Sequence, residues 1–140
     1  MTRDPLEALL RLRRLAADEA RRGLADCLRD EDQAMQATAA IAAAIERETG
    51  AATSLAASDA EVESFAAWLR HIRPRQHAAH EAEDRAEAAT SRARVVLAAS
   101  RAAVQAAEEM LEKHESARIA EAERQEQRAI DEAALRSAGG

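Results

Sequence analysis

Apolar and small residues recur along this chain in steps of three and four, the spacing of a narrow stripe on a helix. In the first third the series runs Leu6, Leu9, Arg13, Ala16, Ala20, Leu24, Cys27, Glu31, Ala34, Thr38, Ile41 and Ile45, with one double step of four around Ala20. Asp4 suits the N-cap, Pro5 the first helical position and Glu7 the return arm of a capping box. Gly50 follows Glu48 and Thr49 as a C′ terminator, so the first helix is predicted over residues 4–49. It would rise roughly 66 Å, beyond the reach of a compact domain. Gly23 falls inside it at a cost of about 1 kcal/mol, which the surrounding pattern should tolerate.

Residues 50–58 are the most loop-like stretch. Ser58, with Glu61 three residues on, announces a second helix start. Val62, Phe65, Leu69 and Ile72 share its face, and Trp68 stands beside them. Pro74 is expected to end or kink this short helix, giving it residues 59–73. A third helix follows over residues 75–136, with a seam at Ala86, Ala93, Leu97, Ser100, Val104, Ala107, Leu111 and His114 that weakens into Ile119 and Ile130. Residues 137–140 read as a frayed tail. No other segment can cover either long seam. The predicted fold is therefore all-α: a single domain, residues 1–140, forming a long two-stranded antiparallel coiled-coil hairpin with a short helix near its tip. The third helix outruns the first, so one end should project as a single helix.

Composition narrows the picture. Hydrophobic residues make up 47% of the 140, yet most are alanine and only Phe65 and Trp68 are aromatic. Alanine favours helix but contributes little burial, so the core must be a thin seam. The net charge of −6 argues against nucleic acid as a partner. A basic stretch (Arg3, Arg11, Arg13, Arg14, Arg21, Arg22) is followed at once by Asp26, Asp30, Glu31 and Asp32, which reads as a solvated face. The lone Cys27 excludes an internal disulfide and points to a reducing compartment. No apolar run is long enough for membrane insertion, and the start Met1-Thr2-Arg3-Asp4-Pro5 is unlike a signal peptide.

Catalytic chemistry finds no foothold. There is no Gly-rich phosphate loop and no nucleophile–base arrangement, so no enzyme activity, cofactor or metal is expected. His77 and His80 with Glu81 have a spacing that can hold zinc, but exposed histidines explain them better. Cys27 reads as a small seam residue. Phe65–Ile72 reads both as a plug for the hairpin tip and as a contact patch, since aromatics are favoured at binding hot spots. The polar close, Glu121 to Glu132, has thin local support: Arg128 and Glu132 form a pair in the weaker orientation, and Arg124 repels Arg128. It is expected to dock or fray.

Three features in order resemble the FliJ family, the small coiled-coil component of the flagellar type III export ATPase: the start Leu6-x-x-Leu9-Leu10-x-Leu12, the mid-chain Phe65-x-x-Trp68-Leu69-x-x-Ile72, and the close Glu126-Gln127-x-x-x-Asp131-Glu132-x-Ala134. The resemblance implies a stalk similar to the γ-subunit of rotary ATPases, inserted in a hexameric flagellar export ATPase and promoting its assembly. It also implies contact with the cytoplasmic domain of the export-gate membrane protein and with escort chaperones, at the cytoplasmic face of the inner membrane. By position, Phe65, Trp68, Leu69 and Ile72, with Ile41 and Ile45, would face the gate. Leu9, Leu12, Arg124, Gln127, Arg128 and Asp131 would lie toward the ATPase. Tyrosines that the family often shows near the end of the first helix are missing here, where Ile41, Ala44 and Ile45 stand. Two readings stand beside this one: a generic cytoplasmic coiled-coil scaffold or chaperone, and a peripheral membrane helix using Arg11–Arg22, which the acidic residues that follow disfavour.

Overall fold

The structure, a computed structural model, describes residues 4–139. Arg3 of the basic stretch, the residues before it and Gly140 of the expected tail lie outside the described residues. Two helices account for nearly everything: α1 (Pro5–Ala52) and α2 (Asp59–Gly139). No strand occurs among the described residues. The arrangement is consistent with a helical hairpin.

Both helices start where their caps predict. The Asp4 carboxylate accepts a hydrogen bond from the Leu6 N–H at 2.9 Å, and its carbonyl accepts from the Glu7 and Ala8 N–H groups. At α2, the Glu61 N–H donates to the Ser58 hydroxyl at 3.2 Å while the Ser58 N–H donates back to the Glu61 carboxylate at 3.3 Å. That reciprocal pair is a complete capping box.

Three expected boundaries are corrected. Gly50 does not end α1, which continues to Ala52. Two alanines follow the glycine, and Thr53 closes the last turn by donating both its N–H (3.0 Å) and its hydroxyl (2.8 Å) to the Thr49 carbonyl. No left-handed residue is needed, and none occurs among the described residues. Pro74 does not end a short helix, because α2 passes through it unbroken and the expected helices 59–73 and 75–136 are one. Pro74 and Arg70, whose carbonyl it leaves without a donor, are both exposed, so water can satisfy that carbonyl. Ile72 and Gln76, on either side, are shielded and anchor the helix across the lesion. The expected tail is also helical as far as Gly139.

The shielded positions explain this continuity. In α2 they repeat every seven residues: Phe65, Ile72, Ala79, Ala86, Ala93, Ser100 and Ala107 in one phase, and Leu69, Gln76, Glu83, Thr90, Leu97, Val104 and Leu111 in the other. The phase does not shift at Pro74. In α1 one phase is Leu10, Ala17, Leu24, Glu31, Thr38 and Ile45, and the other is Leu6, Ala20, Cys27, Ala34 and Ile41. Arg13 and Ala16, expected on the seam, are exposed, while Leu10 and Ala17 are buried. The expected double step around Ala20 disappears, because the Leu10 phase keeps the repeat regular and leaves the Arg13 guanidinium in water.

The chain divides into two compact units. One joins the chain up to Asp18 with Ala98 onward, and its buried residues are Leu10, Ala17 and Ala107. The other runs from Glu19 to Leu97, with Leu97 and Thr90 buried. Neither has a thick core, as the alanine content requires.

Candidate functional site

Within the Glu19–Leu97 unit, two threonine hydroxyls reach the backbone of the other helix. Thr90, fully buried, lies 3.3 Å from the Cys27 carbonyl and 3.1 Å from the Ala86 carbonyl of its own helix. Thr38 mirrors it, 3.4 Å from the Ala79 carbonyl and 3.1 Å from that of Ala34. Each hydroxyl has one proton to share between its two acceptors. A side chain as short as threonine touches the opposite backbone only if the helix axes approach closely, near the lower end of the usual 8–10 Å, about 8 Å. The alanines along both seams permit this. Cys27 is half-buried, as a seam residue should be.

The loop end of the same unit carries the aromatic pair. Phe65 and Trp68 stack with ring centroids 6.2 Å apart and planes inclined by 30°. They line an open cleft of about 460 Å³ whose other walls are Glu48, Ala51, Ala52, Ala60, Glu61 and Ser64. Of the six residues expected to face the gate, only Phe65 and Trp68 line the cleft. Leu69, Ile72, Ile41 and Ile45 are half-buried on the seven-residue repeat, where they serve the seam. Leu55, in the loop, is fully exposed.

The other unit holds the second set. Arg14 reaches Glu108 at 3.3 Å, and the Asp4 carboxylate lies 3.9 Å from His114 Nε2. Leu9 is half-buried and Leu12 is 64% exposed. Arg124, Gln127, Arg128 and Asp131 lie ten to seventeen residues beyond His114 along α2, a rise of roughly 15–25 Å. Leu9 and Leu12 are therefore not brought together with them in one site. Every residue from Glu121 to Gly139 is exposed.

Local support for that stretch differs from expectation. Glu132 pairs with Arg136 at 3.6 Å instead of with Arg128. Arg118 joins Glu115 and Arg124 joins Glu121, each at 2.6 Å, and Gln127 donates to Asp131 at 3.0 Å. In all three ion pairs the acid precedes the base, the orientation that favours a helix. The hydrogen bond from Arg118, reinforced by its charge, holds the Glu115 carboxyl below its ordinary value and raises the Arg118 guanidinium in turn. The hydrogen bond from Arg124, with its charge, likewise holds the Glu121 carboxyl below its ordinary value.

His77 is exposed and pairs with Glu81 at 3.1 Å. Among the described residues no group of three or more His, Cys, Asp or Glu side chains could hold a metal ion. No helix of the described residues is long and apolar enough to cross a membrane. The reach of the threonines, the partner of Arg14 and the joint lining of the cleft by Glu48 and Glu61 were missed in the sequence. Thr38 lay on the predicted seam, which was the one available signal.

A family model described as "Flagellar FliJ protein" matches residues 2–140. That family is a non-enzymatic component of flagellar protein export. No curated protein and no solved structure matches the chain.

Proposed function

The chain belongs to the flagellar FliJ protein family, and on that premise we propose that it is the stalk of the flagellar export ATPase. Its two helices pair antiparallel as a coiled coil. The links favour this: in one unit, contacts climb α1 by eleven residues, from Cys27 to Thr38, as they descend α2 by eleven, from Thr90 to Ala79. In the other, Asp4 meets His114 and Arg14 meets Glu108, again in opposite senses.

The observation that carries the stalk reading is the exposed stretch of α2 beyond Glu121. It is largely polar, with Ile130 and Leu135 as its large apolar side chains, and braced by its own ion pairs, which suits a rod that enters a ring and turns without sticking. Arg124, Gln127, Arg128 and Asp131 meet the hexameric ATPase there, and Leu9 and Leu12 form a separate contact with it from α1. At the loop end, Phe65 and Trp68 contact the export gate's cytoplasmic domain, over a base formed by Leu69, Ile72, Ile41 and Ile45. Escort chaperones are a third class of partner. The protein acts in the cytoplasm, at the inner face of the membrane that holds the export apparatus.

Mixing the purified protein with its cognate export ATPase tests the reading. ATPase oligomerisation and faster ATP hydrolysis are expected. No complex and no stimulation would leave a generic coiled-coil scaffold as the better account. For the gate patch, Phe65→Ala with Trp68→Ala should abolish gate binding and motility while circular dichroism shows helicity unchanged.

A further inference from the structure

The cleft at the loop end has a chemical character that the gate reading alone does not specify. It is lined by the stacked rings of Phe65 and Trp68 together with two carboxylate residues, Glu48 from α1 and Glu61 from α2. Aromatic faces attract cations through the ring quadrupole, most strongly when the ring is Trp. The surroundings add to this. Residues 46–63 carry Glu46, Glu48, Asp59, Glu61 and Glu63 against Arg47 alone, a net of −4.

The helix ends point the same way. Ala51 and Ala52 bring the C-terminal end of α1 into the cleft wall, and the last turn of α1 contains no basic residue. That end carries partial negative charge that a cation would complement. The opposing positive pole at the start of α2 is already met by Asp59 and Glu61 in its first turn. Glu61 gives one oxygen to the Ser58 N–H, and a carboxylate retains further acceptor sites.

We propose that this cleft receives an arginine side chain from an extended segment of the protein that docks at the loop end. The guanidinium stacks on Trp68 and is held between Glu48 and Glu61. Arginine fits better than lysine, because its planar fork can stack on a ring and hydrogen-bond carboxylates at once. A volume of about 460 Å³ exceeds a single guanidinium, so it also admits an apolar neighbour on the partner segment. Fully exposed Leu55 offers that neighbour a further contact. The inference rests on the loop end being a partner-binding surface and adds the partner's chemistry.

Trp68 is the only tryptophan in the chain, so its emission reports the cleft directly. The full-length protein is titrated with acetyl-Leu-Arg-Leu-amide and with the same peptide carrying citrulline, the neutral isostere of arginine. The arginine peptide should give a saturable change, and citrulline should bind about tenfold more weakly, equivalent to ~1.4 kcal/mol. Glu48→Gln, at an exposed position, should weaken the arginine peptide by a similar factor. Glu61→Gln should do so while keeping a residue type that a capping box accepts. Equal binding of the two peptides, or no binding, overturns the inference.

A parallel assay with the purified gate domain separates this inference from the reading beneath it. If Phe65→Ala with Trp68→Ala abolishes gate binding and the two glutamine variants leave it unchanged, the gate reading stands and the arginine inference falls. If all variants bind the gate normally, the gate reading falls and the peptide titration alone decides the inference. Sedimentation of the protein by itself completes the set. A dimer that Glu48→Gln dissociates would mean that a second copy's arginine fills the cleft, which overturns the partner assignment.

Discussion

Two stretches of the same helix are held in place by different means. From Phe65 to Leu111, α2 shields one residue in every three or four on a regular repeat, and its buried members include Thr90, Leu97 and Ala107. Beyond Glu121 nothing is shielded, and the helix relies on alanine-rich composition and acid-before-base pairs one turn apart. Seam burial is worth kilocalories per side chain, whereas an exposed ion pair, screened by water and salt, is worth far less. The seam stretch should thus respond to changes in side-chain volume, and the exposed stretch to pH and salt.

Trimming one leucine in each stretch separates the two most strongly. Leu97→Ala removes a buried side chain, and we expect a loss of about 2 kcal/mol, the lower end for leucine truncation because a thin seam lets neighbours and water close in. Leu135→Ala, at a position 73% exposed, should change stability by less than about 0.5 kcal/mol. Urea unfolding followed by circular dichroism measures both. Equal effects would mean that the two stretches do not differ in their support.

Smaller changes probe how closely the helices approach. Thr90→Val keeps the shape but removes the hydroxyl that reaches the Cys27 and Ala86 carbonyls, for an expected loss of about 1 kcal/mol. At the exposed Gly23 of α1 an added Cβ would meet no atom within 4 Å. Gly23→Ala should therefore raise stability by about 0.8 kcal/mol, purely through helix propensity. Its effect owes nothing to the seam, so the two substitutions combined should be additive within about 0.5 kcal/mol.

How legible this was depended on how local each signal is. The caps at Asp4 and Ser58–Glu61 could be read from the chain, because a capping box needs only residues three apart. The seam from Ala20 to Ile45 was legible too. Its first turns were not, since Leu9 and Leu10 both offered a start, and only the regularity of the whole repeat selects Leu10 with Ala17. Pro74 misled for the opposite reason. Its local preference is strong, but the unshifted phase from Ile72 to Gln76 outweighs it. The cleft lay beyond reach: Glu48 and Glu61 are thirteen residues apart, and only the turn at residues 53–58 brings both into its lining.

The smallest effect is expected at the exposed end of α2, and acid should reveal it. The hydrogen bonds from Arg118 and Arg124 depress the carboxyls of Glu115 and Glu121 below their unfolded values. A carboxyl whose folded value is depressed supports the helix fully above the unfolded value and loses that support as pH falls through the folded one. Acidification below the ordinary carboxylate range should therefore loosen residues 115–124. Because these groups are exposed, raised salt at neutral pH should weaken the same pairs. Amide hydrogen exchange resolved by residue measures this, after correction for the intrinsic pH dependence of exchange. Protection should fall around Glu115–Arg124 while the amides near Thr90 and Leu97 keep theirs. Uniform loss along α2 would show that seam and ion pairs form a single cooperative unit, and the contrast between the stretches would then be one of composition alone.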